Sequence, residues 1–200
     1  MSEVATESLT DLCKRLEAFE TPRWAIEAVL DVELTTKFIL DPCAGLGAIG
    51  VVCGERGLEV DAIDIEPWAD HFPSRARGFT LVADFFDQKL DLSATTVIMN
   101  PPFSLAEEFV SRAQVLGARK IICFQRQAWR ESQSRRLWWD QNSPARVWVC
   151  GARASCWRFD LIGSERAQGS GTPTSYAWYV WERGHKGAEV TGAIYPRAKT

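Results

Sequence analysis

Asp41-Pro-Cys-Ala-Gly-Leu-Gly47 is a glycine loop that joins a predicted strand to a predicted helix. The strand is the apolar run Phe38-Ile-Leu40, and the helix is predicted over 48–56. Glycines let the backbone turn tightly and let a ligand approach it closely. With Gly50 the spacing also reads G-x-G-x-x-G, which on its own is only a weak indication of nucleotide binding.

Further apolar runs alternate with helical patterns along the chain. Strands are predicted over 59–63, 80–83, 96–99 and 120–124, and helices over 6–19, 21–30 and 105–116. Thr21 is expected to cap its helix with Pro22 at the first helical position, and Ser104 to cap the helix after it. Strands over 146–150 and 175–181 have no helix between them, only the glycine-rich 163–172 loop, which predicts an antiparallel hairpin at one sheet edge. The fold class is therefore α/β, with a mostly parallel, doubly wound sheet.

Asn100-Pro-Pro-Phe103 ends the predicted strand over 96–99. Two prolines can neither continue a ladder nor enter a helix interior, and Pro101 holds Asn100 away from helical dihedrals. The result is a stiff turn that carries an amide at the carboxyl end of a strand, which is where ligands bind in open α/β sheets. Phe103 either provides a flat face for a planar substrate or packs in the core.

Length and composition favour one domain over residues 1–200, with an N-terminal helix within 1–20. No apolar run has the length of a membrane span and no secretory signal begins the chain, which favours the cytoplasm. The six cysteines form no C-x-x-C pair, and the two histidines, His71 and His185, lie far apart. We therefore expect no metal site and no histidine-based catalytic triad.

Charge is distributed unevenly along the chain. Residues 1–111 hold 8 Lys/Arg against 20 Asp/Glu, whereas residues 112–158 hold 10 against 2. The basic segment also contains five tryptophans, at positions 129, 138, 139, 148 and 157. Basic and aromatic residues in alternation suit phosphate contact and base stacking, although the tryptophans fit a core equally well.

The ordered motifs resemble those of S-adenosylmethionine-dependent DNA N6-adenine methyltransferases, particularly the small enzymes of phages and prophages. The resemblance covers roughly residues 20–125 and 176–182. The matching stretches are Thr21-Pro-Arg-Trp, Asp41 to Gly47, Asp64-Ile-Glu-Pro, Ala83-Asp-Phe, Asn100-Pro-Pro-Phe and Tyr176-Ala-Trp-Tyr-Val-Trp. It implies a Rossmann-like class I methyltransferase fold.

The resemblance also implies a binding site for S-adenosyl-L-methionine. Asp64 would bind the ribose hydroxyls, with Glu66 as a competitor for that role, while Asp84 and Phe85 would hold the adenine. Thr21 and Pro22 would close over the methionine carboxylate. The other implied cofactor residues are Asp41, Pro42, Ala44, Gly45, Gly47, Ile65 and Asn100.

The implied catalytic residues are Asn100, Pro101, Pro102 and Phe103. The Asn100 side-chain oxygen and the Pro101 carbonyl would accept the amino hydrogens of adenine, and Phe103 would stack on a base flipped out of duplex DNA or held from a single strand. The family usually has Tyr where this chain has Phe103, so stacking is kept and a hydroxyl contact is lost.

Residues 126–175 remain to contact DNA, since 200 residues leave no room for a separate recognition domain. The candidates for phosphate contact are Arg126, Arg130, Arg135, Arg136, Arg153 and Arg158. Alternatives stay open: methyl transfer to RNA adenine or to a protein glutamine, a nicotinamide-dependent oxidoreductase, or a non-catalytic nucleic-acid-binding module. Asp41 disfavours the nicotinamide reading, because its carboxylate would repel a pyrophosphate but suits an ammonium group.

Overall fold

The computed structural model describes residues 7–78, 80–164 and 174–198. Its α-helices are α1 (Leu9–Arg15), α2 (Arg23–Val32), α3 (Ala48–Glu55), α4 (Trp68–His71), α5 (Ala106–Val115) and α6 (Arg136–Gln141). Its strands are β1 (Phe19–Glu20), β2 (Phe38–Asp41), β3 (Glu59–Asp64), β4 (Leu81–Val82), β5 (Thr95–Met99), β6 (Lys120–Arg126), β7 (Arg146–Cys150), β8 (Trp157–Arg158), β9 (Tyr176–Glu182) and β10 (Val190–Ile194).

One eight-stranded sheet organises the described residues, in the order β10-β7-β9-β6-β5-β2-β3-β4. Strand β9 is antiparallel to both of its neighbours, and every other pairing in this sheet is parallel. The predicted fold class, a Rossmann-like and mostly parallel sheet, is confirmed. The predicted antiparallel pairing of β7 with β9 is confirmed as well.

The order of the strands reverses between β2 and β5. From β2 the chain moves outward through β3 to β4, and it then returns to the other side of β2 to form β5 and β6. Ligands bind at such a switch point, outside the carboxyl ends of the strands. Asp41 ends β2 and Asn100 directly follows β5, so the fold places both at this position.

Apolar side chains cover both faces of the sheet. One cluster joins α2 and α3 to the sheet and includes Ile26, Val52 and Trp178, and the other joins α5 to it and includes Val110, Val97 and Tyr179. Strand β6 is buried at every position except Arg126. A near-continuous apolar strand is expected at the centre of a sheet that is covered on both sides.

Two helices begin one residue later than the sequence predicts. The carbonyl of Pro22 accepts the Ala25 N–H at 2.9 Å, so Pro22 is the N-cap of α2 and Thr21 is not. The N-cap of α5 is Leu105, because the amide and the hydroxyl of Ser104 both donate to the Glu17 carboxylate instead.

The sequence analysis missed three strands, β10, β8 and β1, and the last begins at Phe19, where the sequence predicts the end of a helix over 6–19. Strand β10 pairs with β7 in parallel and forms the outer edge of the sheet, where the hairpin was expected to lie. Strand β8 pairs with β1 to form a separate two-stranded ribbon. Of the predicted 163–172 loop, residues 165–172 lie outside the described residues.

Candidate active site

Asp41 is a buried carboxylate at the carboxyl end of β2, with 1% of its surface exposed. The Cys43 N–H donates to its Oδ1 at 3.4 Å. The pKa of Asp41 is raised to about 8, mainly by burial and also by the nearby charge of Asp64, while the Cys43 N–H opposes the shift. A group that binds here with a positive charge would therefore favour the ionised form of Asp41.

The loop after Asp41 needs its glycines. Gly45 and Gly47 have φ angles of +55° and +82°, which L side chains rarely adopt. A Cβ on Gly47 would lie 2.2 Å from the Arg77 carbonyl oxygen, and one on Gly45 would lie 2.6 Å from the Phe159 ring. Gly47 is also the N-cap of α3, so the loop ends where the first N–H groups of that helix are exposed.

Asp64 ends β3 and holds the glycine loop in place. One of its oxygens accepts the Gly45 N–H at 2.8 Å, and the other accepts the Glu66 N–H and the Trp68 indole N–H, both at 3.0 Å. Burial raises the pKa of Asp64, and these donors oppose that shift. The side chain of Glu66, the competitor for the ribose role, instead contacts His71 at 2.7 Å.

Asn100 has a fixed orientation and a free acceptor. Its Nδ2 donates to the Phe19 carbonyl oxygen at 3.0 Å. Its Oδ1 is buried and has no hydrogen-bond partner among the residues that the structure describes. Most buried polar atoms are paired, and leaving one unpaired costs about 1–3 kcal/mol. Arg112, Gln125 and Trp139 each also have one buried side-chain nitrogen without a partner among the described residues, but Asn100 is the member of this set that lines the cavity at the switch point.

A cavity of about 220 Å³ lies in front of these strand ends. Its walls include eight of the predicted site residues: Pro42, Gly45, Asp64, Ile65, Asp84, Phe85, Asn100 and Pro102. An adjoining smaller cavity is lined by Thr21, Asp41 and Ala44 and shares Gly45 and Asn100 with the first. Pro22 lines a third cavity together with Thr21. Gly47, Pro101 and Phe103 line none of the three.

The predicted adenine-binding residues form an apolar wall of the main cavity. Phe85 is buried and stacks on Phe109, with ring centroids 5.6 Å apart. Asp84 accepts the Phe86 N–H at 2.8 Å and so caps the short 3₁₀ turn that carries Phe85 and Phe86. Exposed Ile65 and Phe86 complete the wall with flat apolar surface.

A roof over the cavity escaped the sequence analysis. It consists of residues 16–19 and Phe159, which the β1–β8 ribbon holds together. Glu17 has a φ of +46° and accepts both the amide and the hydroxyl of Ser104, which ties the roof to the turn after Asn100. No short motif marks these residues, because the roof is created by pairing between strands that lie far apart in the sequence.

Phe103 is packed rather than open in this conformation. Its ring is 8% exposed and lies 5.4 Å from Phe19 and 6.0 Å from Tyr176. The guanidinium of Arg126 lies over the ring at 4.4 Å. Stacking of a base on Phe103 therefore requires Arg126 to move.

The basic segment is less available than its composition suggests. Arg130 pairs with Glu189, Arg135 with Glu107 and Arg158 with Asp160. The Arg136 side chain is 80% exposed and lies 3.7 Å from Asp140. Arg126 and Arg153 form no ion pair with a described carboxylate.

The tryptophans of the same segment belong mainly to the core. Trp129 and Trp139 are buried, and their ring centroids lie 4.7 Å apart. Trp138 packs against both of them, and Trp148 donates to the Glu33 carboxylate. These side chains stabilise the fold, so the idea that they present open stacking surfaces for bases finds no support for these four.

Comparison with solved structures identifies the fold. The 23S rRNA methyltransferase ErmE is similar at 11% identity, with a TM-score of 0.55 over 85% of this chain and 72% of that one. A predicted O-methyltransferase of Agrobacterium tumefaciens matches at 16% identity and a TM-score of 0.51, over 88% and 86% of the two chains. A Thermoplasma acidophilum protein matches at 19% identity and a TM-score of 0.52, over 88% of this chain and 98% of that one. The chain has the methyltransferase fold.

Comparisons at the level of sequence add no relative. No family model matches the chain, and no curated protein matches it. Among the described residues, no helix is long and apolar enough to cross a membrane.

Proposed function

We propose that this protein transfers a methyl group from S-adenosyl-L-methionine to the N6 amino group of adenine in DNA. The observation that carries the proposal is the buried Oδ1 of Asn100, which has no partner among the described residues and lies beside a cavity in a methyltransferase fold. Because Nδ2 is bonded to the Phe19 carbonyl, Oδ1 is presented as an acceptor for a donor that arrives from the cavity. An exocyclic amino group is such a donor.

The residues of the cavity fit S-adenosyl-L-methionine. Asp41 suits the ammonium group of its methionine end, and the glycine loop allows close approach to the backbone. Asp64 already accepts three N–H groups, yet two carboxylate oxygens offer about four acceptor positions, so one position is left for a ribose hydroxyl. Ile65 and Phe85 provide an apolar wall for the adenine.

Asn100 and Pro101 would activate the amine by position. The lone pair of an amine on a purine ring is delocalised, which makes it a poor nucleophile. The Asn100 Oδ1 and the Pro101 carbonyl oxygen would each accept a hydrogen bond from one N–H of the amino group. These two bonds would turn the nitrogen lone pair out of the ring plane and towards the cofactor. The cofactor supplies a methyl group on a positively charged sulfur, which keeps the electrons of the broken bond. The amine gains the methyl and releases one proton to solvent.

The basic segment supports a nucleic acid as the substrate. Arg126 ends β6 and lies over Phe103, at the same edge of the sheet as Asn100. Neither Arg126 nor Arg153 pairs with a carboxylate in the described part of the chain. Arg126, which lies over Phe103 and has no described carboxylate partner, suits a phosphate oxygen. DNA is favoured over RNA by the resemblance of the motifs.

The test is incubation with S-adenosyl-L-methionine and unmodified duplex DNA, followed by mass spectrometry of the nucleosides. Single-stranded DNA and RNA are assayed in parallel. We expect N6-methyladenine from DNA, and a loss of about 10²–10³-fold in rate for Asn100→Ala, as for removal of one preorganised polar contact to the reacting group. The rates are compared at saturating cofactor, because Asn100 is also among the implied cofactor-binding residues and its replacement can weaken that binding.

Asn142→Ala is the matched control, because Asn142 also donates from Nδ2 to a backbone carbonyl but lies at the end of α6. It should leave the rate unchanged. Methylation of RNA alone would support the proposed mechanism but show that the proposed substrate, DNA, is wrong. Cofactor binding without any methylated nucleoside would contradict the proposal in favour of a protein substrate or a binding module.

A further inference from the structure

Arg126 covers the side chain on which the substrate base is expected to stack. It is the last residue of β6, and its guanidinium lies 4.4 Å from the centroid of the Phe103 ring. Arg126 is exposed, and no described carboxylate pairs with it, whereas Arg130, Arg135 and Arg158 in the same segment all have such partners. The guanidinium of Arg126 is thus held over the Phe103 ring without an ion pair to any described carboxylate.

The other neighbours of the Phe103 ring cannot leave easily. Phe19 and Tyr176 lie 5.4 and 6.0 Å away, and Tyr176 stacks on Phe124 in the core. The Phe19 carbonyl also holds Asn100. Arg126 is the neighbour with an exposed side chain, so access to the ring depends on Arg126.

We propose that Arg126 is a substrate gate, which covers Phe103 in the free protein and is drawn off the ring by a phosphate of the incoming strand. This inference rests on the proposed function. A guanidinium over an aromatic ring gains about 0.5–2 kcal/mol. A phosphate offers the same guanidinium a bidentate, charge-assisted pair, which is stronger. A polynucleotide therefore opens the site as it binds.

The gate discriminates between forms of the same base. A nucleoside has no phosphate, so it must displace the guanidinium without offering it a new partner. A strand that carries the same adenine provides the partner. Arg126 thus favours polynucleotides over free nucleosides, and it does so through the residue that stacks on the base rather than through contacts to the base edge.

The experiment compares Arg126→Gln with Arg119→Gln. Arg119 is also exposed and lies next to the first residue of β6, so the two variants lose the same charge at opposite ends of one strand. For each protein, the Michaelis constant for an adenine-containing oligonucleotide and the inhibition constant of 2′-deoxyadenosine against it are measured. For Arg126→Gln we expect about fivefold tighter inhibition by the nucleoside and a higher Michaelis constant for the oligonucleotide. Arg119→Gln should match the wild type in both.

The gate and the proposed function fail in different ways. If Arg126→Gln is inhibited by the nucleoside no more strongly than the wild type, or if Arg119→Gln changes equally, the gate is wrong while DNA methylation stands. If the wild-type protein methylates adenine in no substrate, the proposed function is wrong and the gate falls with it. A role of Arg126 in folding alone would not shift the two constants in opposite directions.

Discussion

At the amino-terminal edge of the sheet Glu33 is buried among partners, whereas at the carboxyl-terminal edge Asp41 is buried almost without them. Glu33 accepts from Lys120 at 2.8 Å, from Arg146 at 2.5 Å and from the Trp148 indole at 2.8 Å. Burial raises the pKa of Glu33, but these donors outweigh it and the pKa lies below its usual value. Asp41 accepts one weak N–H bond, and its pKa rises to about 8.

The contrast separates groups that stabilise the fold from groups that await a ligand. A buried charge with a full set of partners costs little and joins the elements that supply them, here α2, β6 and β7. A buried carboxylate with one weak N–H partner, and a buried amide oxygen with none among the described residues, destabilise the free protein, and such groups are retained where a ligand completes them. Asp41 and Asn100 meet that description at the switch point of the sheet.

The largest effect is expected from Glu33→Ala. The substitution leaves the buried Lys120 without its carboxylate and removes one of the two carboxylates that pair with the half-buried Arg146, which keeps Glu182. This should lower the free energy of unfolding by about 3–5 kcal/mol. Unfolding in urea, followed by tryptophan fluorescence, measures this directly. Glu59→Ala is the control, since its pair with Lys37 is exposed and worth about 0–1 kcal/mol. Equal losses for the two variants would show that burial of the network does not matter.

Asp41→Asn should have a smaller effect on the free energy of unfolding, and of the opposite sign. This effect should depend on pH. Because the pKa of Asp41 is raised in the folded protein, folding binds a proton, and stability falls as pH rises from about 4 to about 8. Asparagine keeps the shape without the charge. Each pH unit above the usual pKa of about 4 contributes about 1.4 kcal/mol, so we expect the substitution to raise the free energy of unfolding by about 3 kcal/mol near pH 6 and to change it little near pH 4.

Binding of the cofactor completes the test of Asp41. An ammonium group favours the ionised carboxylate, so wild-type affinity for S-adenosyl-L-methionine should increase with pH up to about 8. Asp41→Asn should bind weakly, with no comparable change in affinity over that range. Calorimetric titrations at several pH values measure both. Parallel pH profiles of the two proteins, in stability or in affinity, would contradict a role for this charge.

The sequence predicts the floor of the site better than its roof. Prolines and glycines restrict the backbone locally, so the turns at Asp41 and Asn100 could be placed at strand ends without any knowledge of tertiary contacts. Glu17 and Phe159 could not, because their position depends on the pairing of β1 with β8 from distant parts of the chain. Trp129 and Trp139 show the same limit, since composition alone does not distinguish a buried tryptophan from an exposed one.

The smallest predicted effect extends the contrast between paired and unpaired charge to the surface. Arg135 forms a close ion pair with Glu107, at 2.7 Å. The Arg136 side chain is 80% exposed, and its contact with Asp140 is longer, at 3.7 Å. Arg136→Gln should therefore weaken DNA binding more than Arg135→Gln, by a few-fold at moderate salt, and reduce the salt dependence of log K by about one unit of slope. Fluorescence anisotropy of a labelled duplex across a salt series measures both quantities. Cofactor affinity should stay unchanged in both variants.

If Arg135→Gln had the larger effect, the ion pair of Arg135 with Glu107 would have to open when DNA binds. The absence of an ion pair in the free protein would then be a poor guide to which arginines contact phosphate.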